Sequence, residues 1–163
     1  MNTFGFYILS LGFILSIYSS LLFFFGNYRN NKIMIKSATR SYYLSIIMIF
    51  ISCVTLIALF LSNDFSNIYV FNHSSLDMNR ALTFVAFYAG NEGSLLYILL
   101  VHAILSGLLL YFSNKKIKSS LSYSCGILSS ISVFYLFVLI FFANPFEVSQ
   151  LNHSDGKGIN PLL

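Results

Sequence analysis

The sequence predicts an all-α, polytopic transmembrane helical bundle, with four spanning helices and a short interfacial helix before the third. Three observations carry that prediction. Charged residues make up only 9% of the chain and hydrophobic residues 57%, whereas ordinary soluble domains are about a quarter charged. Four long apolar runs recur along the 163 residues, each close to the ~20 residues a helix needs to cross a hydrocarbon core of ~30 Å. None of the runs shows the in–out alternation of outer-membrane strands, and four strands cannot close a barrel. Lipid offers no partner for an unpaired backbone N–H or C=O, so the runs must be helices.

The first span covers about 4–25 and is uncharged. No Lys or Arg precedes Arg29, and the apolar stretch is longer than a signal-peptide h-region, so this span is read as a retained helix. The second covers about 41–62, again without charge. The third apolar region, 81–112, is too long for one crossing and is interrupted by Gly90, Asn91, Glu92, Gly93 and Ser94. Its spanning part is 94–112, and residues 77–89 are expected to form a helix at the membrane interface. The fourth span is 121–143. Residues 1–163 then make one transmembrane module, with segments 63–93 and 144–163 on a common side.

Orientation follows from the basic residues. Arg29, Lys32, Lys36 and Arg40 follow the first span, and Lys115, Lys116 and Lys118 follow the third, with no acid in either block. Arg80 and Lys157 are the remaining two of the nine. Positive loops stay inside, so both termini and the segments 63–93 and 144–163 are expected to face outward. The net charge of +4 is therefore a topology signal, and no nucleic-acid partner is expected. Membrane lipids are the expected surroundings.

Small residues recur every fourth position at Gly12, Ser16 and Ser20, and again at Ser122, Gly126 and Ser130. That spacing lets helices approach closely, and ordinary packing within the bundle is the preferred reading. Cys53 and Cys125 lie far apart inside apolar runs and read as small fillers. His102 sits near the middle of the third span with Ser106 one turn on, a weak intramembrane candidate; a hydrogen bond to a neighbouring helix is the plainer role. His73 and His153 read as solvated loop residues, and no spacing suggests a metal site. Glu92 is more informative: Gly-Asn-Glu-Gly-Ser opens a spanning helix and places a carboxylate at its positive end. The flanking Gly90 and Gly93 are expected to let the backbone turn sharply from interface to span.

That turn also carries a family resemblance. The stretch Phe65-Ser66-Asn67-Ile68-Tyr69-Val70, then His73-Ser74-Ser75, then Ala89-Gly90-Asn91-Glu92-Gly93-Ser94-Leu95-Leu96-Tyr97 resembles the N-terminal part of the CcmF family. The family pattern there is D-D-F-S-x-x-Y-V, a short spacer, then W-x-G-x-E-G-S-L-L-x-W. The tail, Asn144-Pro145-Phe146-Glu147 with Asp155-Gly156-Lys157-Gly158-Ile159-Asn160-Pro161-Leu162-Leu163, is similar to the family's N-P-F…D-G-x-x-L-N-P-L-L-Q. Two separated motifs in the right order make the resemblance specific.

CcmF proteins are haem-lyase subunits of cytochrome c maturation. The resemblance implies a membrane module that helps deliver haem from a haem chaperone and attach it, through thioether bonds, to the CxxCH cysteines of apocytochrome c. It implies three partners: the remainder of the CcmF-like protein or a split C-terminal chain, the haem chaperone, and apocytochrome c. It places the chain in a bacterial inner membrane with both termini periplasmic, or in a mitochondrial inner membrane. The family's haem-ligand histidines and Trp-rich segment match nothing in this sequence, which has no Trp. Tyr88 and Tyr97 stand where the family has Trp, and Asn91 where it has His or Gln. Haem is thus expected to be held by the full-length member or complex, and no catalytic residue is assigned here. The alternative is a small non-catalytic polytopic subunit of a respiratory or transport complex, which would more often carry paired charges inside its helices.

Overall fold

The computed structural model describes residues 1–113, 119–149 and 155–158. Lys115, Lys116, Lys118, His153 and the motif residues 159–163 lie outside the described residues. Six helices follow one another among the described residues: α1 (Asn2–Tyr28), α2 (Lys32–Leu61), α3 (Ile68–His73), α4 (Arg80–Ala89), α5 (Asn91–Ser113) and α6 (Ser119–Phe141). Four of them, α1, α2, α5 and α6, are long and apolar enough to cross a membrane. The chain is a multi-pass membrane protein.

Asparagine punctuates the first hairpin. α1 ends with Asn30 in the left-handed region, φ 49°, a conformation that Asn tolerates better than most residues. The Asn30 and Asn31 N–H groups then reach back to the carbonyls of Asn27 and Gly26, at 3.1 and 2.8 Å, the paired bonds of a Schellman ending. Asn31 next caps α2, its side chain accepting from the N–H groups of Ile33 and Met34. α2 closes in the same way: Asn63 has φ 50°, and Asn63 and Asp64 donate to Phe60 and Leu59.

α2 therefore begins at Lys32 and not at 41. Lys32, Lys36 and Arg40 ride on its first turns, where sequence reading placed a loop. Charge lowered the local hydropathy without interrupting the helix, because Lys and Arg are good helix formers.

The four long helices pack as a ring in the order α1–α2–α5–α6. Lipid gives no hydrophobic drive for helix association, so close packing and interhelical hydrogen bonds must supply it. Both small-residue stripes serve this ring. Gly12 lets α1 approach Met48 and the Ser45 carbonyl of α2, and Gly126 receives the Phe24 ring. Ser129 donates to the Ser16 carbonyl at 3.1 Å. Ser130 gives its hydrogen to Gly126 at 2.9 Å, so Ser20 is the donor in the 2.8 Å bond between Ser20 and Ser130. Ser19 and Ser41 bond across α1 and α2 to Ala38 and Leu15. Cys53 and Cys125 are buried free thiols within the packing.

At the end of the ring away from Arg29, Lys32, Lys36 and Arg40, α3 and α4 lie over the helix ends. α3 is an element the sequence reading left out. α4 starts at Arg80 and not at 77, because the Asn79 side chain caps it by accepting from Ala81. α5 begins at Asn91 and not at 94, so the expected five-residue turn shrinks to one extended residue, Gly90, between two helices. α6 ends at Phe141, short of 143.

Replacing Ser20 with Ala should lower unfolding free energy by about 0.6 kcal/mol, the usual worth of a transmembrane side-chain hydrogen bond. Gly126→Leu, which forces a side chain into the Phe24 ring, should cost about 1–3 kcal/mol. Unfolding of the purified protein in SDS reads both, and an unaffected Gly126→Leu would show that the stripe is not a packing face.

Candidate functional site

The end of the bundle that carries α3 and α4 is organised around one buried side chain. Asn67 has no exposed surface and caps α3 by accepting from the Val70 N–H at 2.9 Å. Its amide hydrogens go to Asn2 Oδ1 and to the Pro145 carbonyl, each at 3.0 Å. Asn2 in turn donates to Ser66 Oγ, and Ser66 donates to Asp64. One amide thus ties the start of α1, the α2–α3 connection and the segment after α6.

The two resemblance motifs meet here. Asn67 and Val148 form an isolated antiparallel bridge, with Ile68 N–H donating to Glu147 and Ser149 N–H to Ser66, at 2.9 and 2.8 Å. Phe146 is buried at this point and lies where a Cβ on Gly5 would be. Further along, Lys157 N–H donates to Phe71 and Gly158 N–H to Ser74. The Lys157 ammonium stands 5.2 Å from the centre of the Phe71 ring, and Asp155 accepts from the Leu76 N–H. Gly156 presses on the Ser74 carbonyl so closely that no side chain fits. Residues 155–158 thus form a strap over α3.

Tyr69 connects this clamp to the helix entry. Its ring is buried, edge-on to Phe60 at 5.5 Å between centroids. Its hydroxyl donates to the Phe87 carbonyl at 3.0 Å and accepts from the Gly90 N–H at 3.1 Å. The phenol thereby holds both sides of the α4–α5 junction. Burial raises its pKa to about 12, and the nearby Glu92 carboxylate adds to the rise.

The junction glycines have a different purpose from the expected one. Gly90 has φ −99° and ψ 171°, extended backbone open to any residue. What excludes a side chain is proximity. A Cβ at Gly90 would sit 2.5 Å from His73 Nε2 and 2.6 Å from the Tyr69 ring. At Gly93 it would fall on the Phe87 carbonyl oxygen and the Tyr69 hydroxyl. Glu92 occupies the first turn of α5, half-buried, and Gly90 provides no capping side chain. The acid therefore meets the positive end of the helix directly. Ser94 donates its N–H to Gly90 and its hydroxyl to Asn91, which is itself exposed.

Each described histidine spends one ring nitrogen on a backbone carbonyl. His73 is not a solvated loop residue: it ends α3, stacks on Tyr69 at 4.5 Å between centroids, and gives its Nδ1 hydrogen to the Tyr69 carbonyl at 2.9 Å. Its Nε2 lies against Gly90. His102 lies 3.0 Å through Nε2 from the Leu128 carbonyl of α6. A carbonyl only accepts, so that nitrogen carries the proton. Ser106 bonds back to His102 along α5 at 2.7 Å. His102 is a brace between α5 and α6. No cluster of three metal-capable side chains exists among the described residues. Sequence reading missed Asn2 altogether and treated Asn67 and Tyr69 only as motif letters. Their signal was the Asn-Ile-Tyr spacing that caps a helix and then buries its first turn.

No family model matches the chain, but curated proteins do. The cytochrome c-type biogenesis protein NrfE of Haemophilus influenzae is 25% identical over 98% of this chain and 25% of its own length. The cytochrome c-type biogenesis protein CcmF of that organism is 28% identical over 98% of this chain and 25% of its own. CcmF of Pseudomonas fluorescens is 32% identical over 64% of this chain and 16% of its own. A solved structure, "Cytochrome c Heme Lyase CcmF", superposes with a TM-score of 0.82 at 27% identity, over 93% of this chain and 25% of that one. The chain spans about a quarter of the length of the first two relatives.

Asn67→Ala removes a cap and strands two acceptors, so it should destabilise the outer clamp by on the order of 3 kcal/mol. Hydrogen exchange should then accelerate at Ile68 and Ser149 while the four long helices stay protected. The Tyr69 phenol must be neutral to donate. With its folded pKa raised from 10.0 to about 12, its contribution is complete below pH 10 and lost as pH rises towards 12. Limited proteolysis of 62–93 should show that loss in the wild type, and Tyr69→Phe should already be weakened at neutral pH and flatter above pH 10.

Proposed function

We propose that this chain, which corresponds to the N-terminal part of the CcmF family, is a membrane component of cytochrome c maturation. Its part is to build the outer platform on which haem meets apocytochrome c. The observation that carries the reading is the clamp itself. Asn67, Tyr69 and the described segments 144–149 and 155–158 draw residues of both family motifs into one bonded surface at the helix ends. That surface is rigid, and rigid positioning is what a face that aligns two reactants requires.

Haem is the substrate of the whole assembly. The described histidines each bond a backbone carbonyl, of Tyr69 in α3 and of Leu128 in α6, and this reading gives them a bracing role. The remainder of the CcmF-like protein, on the same or a separate chain, supplies the iron ligands; the haem chaperone and apocytochrome c are its further partners. Glu92 acts through the placement of α5, since its carboxylate would repel haem propionates. The platform faces the periplasm in a bacterial inner membrane, or the equivalent side of a mitochondrial inner membrane, with both ends of the chain on that side. The positive blocks at the opposite end support this orientation. A subunit that conducts protons or ions gains no support, because the charged residues of the described spans sit at their ends.

The test is haem attachment in cells that express this chain with the remainder of the protein. Gly93→Ala, which pushes on the Phe87 backbone, should reduce covalently attached haem to a small fraction of wild type, and Glu92→Ala should reduce it severalfold. Normal attachment in Glu92→Ala would remove that carboxylate from the mechanism. A cysteine placed at Asn63 should react with an impermeant thiol reagent from the periplasmic side, and labelling only from the cytoplasm would overturn the orientation.

A further inference from the structure

We propose that the basic end of α2 is a binding surface for anionic phospholipid headgroups. Lys32, Lys36 and Arg40 recur every fourth residue, which places them on a single stripe of the helix. All three are exposed, as is Arg29 at the end of α1. None of the four makes an ion pair or side-chain hydrogen bond with the described residues. The five acids of the chain, Asp64, Asp77, Glu92, Glu147 and Asp155, all belong to the opposite end of the bundle.

Within the chain this stripe works against itself. Like charges four residues apart on a helix repel, and cations in the first turn meet the positive end of the helix dipole. No acid occupies that turn, and Asn31 caps only the Ile33 and Met34 N–H groups. An anion from outside relieves both penalties at once.

The position of the stripe selects the anion. The uncharged stretch 41–61 of α2 is roughly 31 Å long at 1.5 Å per residue, the thickness of a hydrocarbon core. Arg40 then stands at the edge of the core, with Lys36 roughly 6 Å and Lys32 roughly 12 Å beyond it. Their long stems let the charged heads settle at the phosphate plane. Exposed aromatics at the same end, Tyr28, Tyr111 and Phe112, mark an interfacial belt. Clustered cations beside a membrane span, with no local acid to pair them, bind anionic lipid through charge.

The test reconstitutes the purified whole chain in phosphatidylcholine vesicles carrying spin-labelled phosphatidylglycerol or phosphatidylcholine. Electron paramagnetic resonance reads how strongly each lipid associates with the protein. Phosphatidylglycerol should be preferred severalfold at low salt, and the preference should shrink in 1 M salt as charges are screened. The combined Lys32→Gln, Lys36→Gln and Arg40→Gln variant should lose most of the preference, while Lys32→Arg with Lys36→Arg should keep it. Circular dichroism confirms that each variant is folded before it is scored; should the triple glutamine variant fail to fold, Lys36→Gln alone should show a partial loss. Equal association of the two lipids with the wild-type protein would leave the stripe as an orientation signal only and overturn the proposal. A preference that survives the glutamine substitutions would overturn it as well.

Discussion

The outer architecture depends on the saturation of one carboxamide. Asn67 uses its oxygen to start α3 and both amide hydrogens to hold segments from the two extremes of the chain. A buried amide left partly unpaired is costly, so these bonds stand or fall together. This cooperativity turns three separate connections into one surface. The apolar contacts around it, including Phe146, Phe65 and Tyr69 in the outer core, add area but do not choose the register. The amide and the short bridge do that.

The bundle below is held by a different balance. Side chains in lipid gain nothing from leaving water, so the ring is assembled from near-contact of backbones and from serine hydroxyls that reach across to carbonyls. The same economy of space governs the α4–α5 junction. Gly90 and Gly93 are needed for what lies beside them, Tyr69, His73 and the Phe87 carbonyl, and not for an unusual backbone angle. Packing, rather than flexibility, makes that junction particular.

Much of the fold was legible because hydropathy follows helices through a membrane directly. The four spans, the common end of the two motifs and the role of His102 as an interhelical donor all follow from composition and spacing. The start of α2 was not legible, since Lys32, Lys36 and Arg40 read as loop to any hydropathy argument although they continue the helix. α3 was hidden by its length of six residues, too short for a periodic signal. The clamp was hidden by distance: nothing local in Asn2, Asn67 or Pro145 announces that they share one set of bonds. The family resemblance marked the right letters without saying that they touch.

The strap has a consequence for how the protein is made. Asn67 and Asn2 enter the membrane environment early in synthesis, yet the Pro145 carbonyl that completes their network follows α6. Until that moment the α3 region has a buried-type amide with one hydrogen unused and a vacant seat for Phe146 beside Gly5. The clamp therefore closes only after α6 has been made. A ribosome that stalls inside α6 leaves α1, α2 and α5 made, but the ring without its fourth wall and the clamp without its last partner.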